Sequence, residues 1–104
     1  MGRQRLGRAD EIEPGTAKGY EVDGHRLAVV RIGDDFYAIS DRCSHADVPL
    51  SEGDVWEEER EIECWEHGST FSLLTGEPQS LPATQPVPVY TIVREGDDLF
   101  VEVP

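Results

Sequence analysis

Cys43-Ser44-His45 and Cys64-Trp65-Glu66-His67 form two ligand-like pairs separated by eighteen residues, and any fold of this chain must account for them. Together they use both cysteines and two of the three histidines. A disulfide between Cys43 and Cys64 would leave His45 and His67 as unexplained neighbours, whereas metal ligation accounts for all four side chains. Two thiolates and two imidazoles suit a tetrahedral zinc ion, or a 2Fe-2S centre in which two histidines replace two cysteines on one iron. Structural zinc sites usually draw closely spaced ligands of matching kind from each half. Here each half supplies one Cys and one His, so two similar loops can approach a centre from opposite sides.

The remainder of the chain reads as β. Apolar and β-branched residues come in short runs punctuated by Gly and Asp, the spacing of an antiparallel domain. Strands are expected at about 4–8, 18–22, 27–32 and 36–40, with Asp23-Gly24 as a tight hairpin turn and Gly33-Asp34-Asp35 as the next. The run Leu27-Ala28-Val29-Val30-Arg31-Ile32 is apolar at odd and even positions alike, which predicts a central strand covered on both faces. Further strands are expected at 87–94 and 99–103 around Glu95-Gly96-Asp97-Asp98, and short ones at 55–57, 61–64 and 70–73 before the turn Thr75-Gly76. No amphipathic helix, internal repeat or linker is evident. The 104 residues read as one all-β domain, with base sheets at about 1–40 and 79–104 and a ligand-bearing part at about 41–78. Loops held by strand ends are where rigid sites are commonly built.

The formal net charge is −13, and residues 41–77 hold eleven acids against two bases. Nucleic acid and anionic lipid both reward Lys and Arg, so neither is expected as a partner. Acids within or beside the ligand pairs, such as Asp47, Glu52, Asp54 and Glu66, would steer a basic protein partner; as a merely solvated face they would keep the chain soluble. No run approaches the ~18 apolar residues of a membrane span, and the basic N-terminus is not followed by an apolar stretch. A soluble, cytoplasmic, monomeric protein is expected.

With these residues in view, the chain resembles a Rieske iron-sulfur protein, whose signature is Cys-x-His followed, after a spacer of this order, by Cys-x-x-His. Pro49-Leu50-Ser51-Glu52-Gly53, His67-Gly68-Ser69-Thr70-Phe71 and Thr75-Gly76-Glu77-Pro78 are similar to segments of the small soluble Rieske ferredoxins, including the ferredoxin components of bacterial aromatic-ring dioxygenase systems. Leu81-Pro82-Ala83 resembles their proline loop. The resemblance implies a Rieske-type antiparallel β sandwich or barrel, with a small cluster-binding subdomain made of two ligand loops and the proline loop. It also implies one 2Fe-2S cluster, with Cys43 and Cys64 on one iron and His45 and His67 on the other. Around that cluster, Ser69 would offer a hydroxyl to sulfur, and Gly68 would allow close backbone approach and a donor for sulfide. Trp65 would shield the cluster, with a partner contact as the alternative, Glu66 would add charge beside His67, and Pro82 would cover a third side. Trp56 is expected to pack, and His25 to be exposed and inert.

Rieske domains of cytochrome bc complexes carry two further cysteines and a tyrosine. At the matching positions here stand Val48, Glu66 and Phe71, so the resemblance is to the disulfide-free, soluble kind. Hydroxyl bonds to sulfur favour the reduced cluster and nearby carboxylates oppose it, which places the expected potential in the lower part of the range of about −150 to +300 mV. Catalytic oxygenase subunits add a mononuclear iron domain for which a chain of this length has no room. The implied role is therefore non-catalytic: a one-electron carrier between a flavin-containing, NAD(P)H-linked ferredoxin reductase and a terminal oxygenase or other acceptor. The alternative is an accessory or redox-sensing protein linked to cluster assembly, from which a carrier differs by cycling without losing iron.

Overall fold

Short strands joined by turns that favour glycine dominate the structure, a computed structural model that describes residues 2–42, 49–65, 68–79 and 85–103. Strands β1 (Gly2–Arg8), β2 (Thr16–Val22), β3 (His25–Ile32) and β4 (Asp35–Ser40) come first. Then follow β5 (Val55–Trp56), β6 (Glu61–Glu63) and β7 (Thr70–Ser72), and finally β8 (Val89–Glu95) and β9 (Asp98–Val103). The larger sheet runs β1-β9-β8-β4-β3-β2 and the smaller β5-β6-β7, every pairing antiparallel.

Turn chemistry explains the hairpins. Asp23 and Gly24 both take left-handed backbone (φ +50° and +80°), which closes a two-residue turn with Val22 opposite His25. Gly33 and Gly96 (φ +60° and +62°) open the turns that join β3 to β4 and β8 to β9. The larger sheet curls until its edges meet, and Gln4 Nε2 on β1 donates to Asp23 Oδ2 at 3.4 Å.

Strand β3 lies between β4 and the edge strand β2 and is buried on both faces, as its sequence predicts. Leu27 and Val29 point into a core shared with Ala38, Leu99, Val101 and Val103, inside the curl. Ala28, Val30 and Ile32 point the other way, into a core shared with Ile39, Leu50, Ile62, Cys64, Phe71, Leu73 and Val87. Full burial of each Val or Leu on either face contributes about 1.5–3 kcal/mol. The smaller sheet is thus seated on the outer face of β3 and β4. A polar strut assists it: Arg60, at φ +58°, donates from Nη1 to Asp35 Oδ2 (3.2 Å) and to the Tyr37 hydroxyl (3.1 Å), while its carbonyl oxygen accepts the Leu73 N–H (2.9 Å).

Two elements differ from the sequence expectation. Single 3-10 turns occur at Ala9–Glu11 and Leu50–Glu52, too short to leave an amphipathic period. Residues 87 and 88 lie outside β8, because Pro86 and Pro88 have no N–H for a ladder and the Val87 N–H is given to the Gly76 carbonyl oxygen at 2.8 Å.

Tyr20 on β2 supplies a test of packing against the Ala9–Glu11 turn. Its hydroxyl donates to Glu11 Oε1 at 3.3 Å, and partial burial, reinforced by the Glu11 charge, pushes the phenol up to about 12. The unfolded phenol ionises near 10. The stability linked to Tyr20 is therefore complete below about pH 10 and is lost as pH rises towards about 12. Tyr20→Phe is expected to flatten the alkaline limb of a plot of melting temperature against pH; a limb of unchanged steepness would assign it to other groups.

Candidate metal centre

Cys64 directly follows β6, and strand alternation decides where it points. Ile62 lies opposite Val55 on one side and Phe71 on the other, and faces the core; Cys64, two residues on, is likewise fully buried. Glu61 and Glu63 alternate outward. A tight turn follows, in which the Cys64 N–H donates to the Ser69 carbonyl oxygen (2.7 Å) and the Gly68 N–H to the Cys64 carbonyl oxygen (2.8 Å). Gly68 has φ +76°, a conformation that costs a residue with a side chain about 1–2 kcal/mol. Ser69 is completely buried and held beside Cys64, which removes it from the class of exposed turn serines.

Trp56 departs from the packed position expected of it. Trp65 is 54% exposed and Trp56 is 40% exposed. Trp56 pairs with Glu61 across the outward face of the smaller sheet, so register turns its indole towards solvent instead of into the core. Trp65 lies just beyond the last inward residue, Cys64, and presents an exposed apolar surface.

Of the other expected site residues, Cys43, His45, Glu66, His67 and Pro82 lie outside the described residues, as do Asp47 and Val48. The residues flanking them are well held. Before and after 43–48 stand Asp41 and Ser51, joined by two hydrogen bonds of 2.6 and 2.9 Å. Ahead of the proline-rich segment, the Gln79 N–H donates to the Thr70 carbonyl oxygen (2.7 Å) and Pro78 bridges Phe71; behind it, Val87 is tied to Gly76. Gly76 (φ +79°) also lacks room, since a Cβ there would lie 1.9 Å from the Val87 carbonyl oxygen. Asp41, Gly76 and Arg60 did not stand out in the sequence as supports of the site. A glycine beside a hairpin pattern was the one visible signal, at Thr75-Gly76.

The described residues fit a thiolate-held iron-sulfur centre. A buried Cys at the end of a strand, next to a buried hydroxyl and a glycine-closed turn, offers a soft ligand that is itself held away from water. His25, the histidine outside the two pairs, is half-buried on the larger sheet with its ring edge-on to Tyr90 at 5.9 Å. Among the described residues no group of three His, Cys, Asp or Glu side chains is placed to hold a metal.

Charge is unevenly balanced across the molecule. Arg3 pairs with Glu95, Arg5 with Asp98, Arg8 with Asp10 and Lys18 with Glu11, and Arg31 and Arg94 both face Asp34. Arg60 is drawn to Asp35. Glu52, Asp54, Glu57, Glu58, Glu59, Glu61 and Glu63 join no ion pair among the described residues. Among the described residues, then, seven acids on the part of the fold that contains Cys64 have no ion-pair partner.

Residues 2–91 match the family model described as the Rieske [2Fe-2S] domain. The 3-phenylpropionate/cinnamic acid dioxygenase ferredoxin subunit of Escherichia coli (strain K12) is 42% identical over 78 residues, which are 75% of this chain and 73% of that protein. The solved ferredoxin of carbazole 1,9a-dioxygenase from Nocardioides aromaticivorans IC177 superposes with a TM-score of 0.93 at 40% identity, covering 97% of each chain. A chain from a complex of reduced oxygenase and oxidized ferredoxin in carbazole 1,9a-dioxygenase superposes with a TM-score of 0.86 at 36% identity, covering 95% of this chain and 91% of that one. The antiparallel fold, the buried cysteine turn and these likenesses agree. The chain belongs to the Rieske [2Fe-2S] family, binds a Rieske-type 2Fe-2S cluster, and is an electron-transfer component, not a catalytic subunit.

Proposed function

We propose that this protein carries single electrons from a flavin-containing, NAD(P)H-linked ferredoxin reductase to a terminal oxygenase. The observation that carries this reading is the likeness, over 97% of both chains, to a ferredoxin of an aromatic dioxygenase. Cys43, His45, Cys64 and His67 hold the cluster, on loops borne by a subdomain at about 41–78. When bound, the cluster supplies reversible one-electron storage.

The chain's own residues set how readily that storage is used and by whom. Phe71 fills the core beneath the site and brings no hydroxyl, while the uncompensated acids oppose added negative charge; both support a potential low in the Rieske range. Ser69, buried beside Cys64, works in the opposite direction. Trp65 offers an exposed apolar contact next to a ligand. The acids on the same part of the fold attract a basic docking face, and the resulting contact is small enough to release. The protein acts as a monomer in the cytoplasm.

Reconstitution with such a reductase and oxygenase tests the reading. Many turnovers per protein without iron loss are expected, and iron release on oxidation would favour an accessory role in cluster assembly instead. The rate of reduction is expected to fall roughly ten-fold between low salt and about 0.5 M. A rate indifferent to ionic strength would remove the steering role from Glu52, Asp54 and their neighbours.

A further inference from the structure

Gly19 stands in the middle of β2, where glycine weakens a strand and often marks a close approach. What approaches is a clamp between two residues ten apart in sequence. The Asp41 carboxylate accepts the Ser51 backbone N–H at Oδ1 (2.6 Å) and the Ser51 hydroxyl at Oδ2 (2.9 Å). A Cβ at Gly19 would lie 3.0 Å from Asp41 Oδ2 and 3.2 Å from Ser51 Oγ, so a side chain there would press on both partners.

Each half of the clamp is itself held. The Asp41 N–H donates to the Arg26 carbonyl oxygen (2.9 Å), and the preceding residue, Ser40, donates its N–H to the Pro88 carbonyl oxygen (2.9 Å). Ser51 sits in the Leu50–Glu52 turn, whose Leu50 is fully buried in the same core as Cys64. The clamp therefore joins the end of β4 to a turn rooted under the site. Bonds to a partly buried carboxylate are stronger than neutral ones and hold direction well.

Asp41 and Ser51 bracket the segment that carries Cys43 and His45. We infer that Asp41 is a positioning residue for that segment, acting through Ser51 to set the span from which Cys43 and His45 reach the cluster. This rests on the assignment of those two residues as ligands. A disulfide between the ligand loops could do similar work, but both cysteines already belong to the ligand pairs.

The test compares cluster-loaded wild type with Ser51→Ala, Asp41→Asn, Asp41→Ala and Gly19→Ala, reading iron loss to a chelator, the reduced-state EPR line shape, the midpoint potential and the melting temperature. Ser51→Ala keeps the carboxylate and its bond to the backbone N–H. Asp41→Asn keeps the shape and one acceptor, and Asp41→Ala removes both bonds. Iron loss is expected to quicken about 10- to 100-fold in Asp41→Ala, with a broadened EPR line, and only a few-fold in Ser51→Ala and Asp41→Asn. Wild-type iron retention and line shape in Asp41→Ala, even with a lower melting temperature, would overturn the inference. So would equal effects of Asp41→Asn and Asp41→Ala, because charge and not the clamp would then be responsible. Should Asp41→Ala fail to fold, Ser51→Ala and Gly19→Ala decide, and wild-type iron retention in both would overturn it. A wild-type protein lacking the reduced-state signal would instead sink the ligand assignment itself, and the inference with it.

Discussion

Cys64→Ser, His45→Ala and His67→Ala are each expected to abolish the reduced-state EPR signal of the Rieske centre, while His25→Ala keeps it in full. For Cys64 the effect has two sources. A hydroxyl is a poorer ligand for iron than a thiolate, and at this position it would lie in a core with Ile62, Phe71 and Leu50. His25 is the control because it is a histidine of the same chain engaged elsewhere, edge-on to Tyr90 on the larger sheet. Iron per chain and visible absorbance give the same reading independently. A full signal in any of the three ligand variants, or its loss in His25→Ala, would reassign the centre.

Gly53→Ala is expected to cost about 3 kcal/mol of stability and most of the bound iron. The glycine has ordinary extended backbone (φ −86°, ψ 172°), so freedom of rotation is not what the position requires. Space is. A Cβ would fall 1.6 Å from the Glu63 carbonyl oxygen and 2.9 Å from its carbon. Neither side can easily yield: Glu63 donates its N–H to the Asp54 carbonyl oxygen (2.9 Å), and Gly53 its own to the Leu50 carbonyl oxygen (3.0 Å). Glu63 immediately precedes Cys64, so strain relieved at one is passed to the other. In a domain of about 100 residues the loss corresponds to a fall in melting temperature of more than about 10 °C. A melting curve and iron content matching wild type would show that the turn and β6 are less tightly joined than their separation implies.

Much of the site's chemistry was legible because it resides in residue identity. Two Cys/His pairs name their possible metals wherever the chain places them, and Asp23-Gly24 names its turn because few other pairs accept left-handed backbone at both positions. Strand β3 was legible too, since apolar residues at successive positions need two cores. The supports of the site were not. Residues 19, 41 and 51 meet through tertiary packing, and no periodicity relates them. Gly53 matched a family segment, but its reason, a carbonyl at contact distance, belongs to another strand. The outward turn of Trp56 was not legible either, since it follows from the register of β5 against β6 and not from the bulk of the side chain.

Because alternate residues of β3 belong to different cores, the two cores share a wall that is a single layer of strand backbone. Neither half can melt or breathe far while the other stays packed, so opening that would loosen the cysteine turn must draw on the cooperativity of the whole sheet. A carrier that changes charge repeatedly gains from such a support: the less the surroundings of its centre rearrange between oxidation states, the lower the barrier to each transfer.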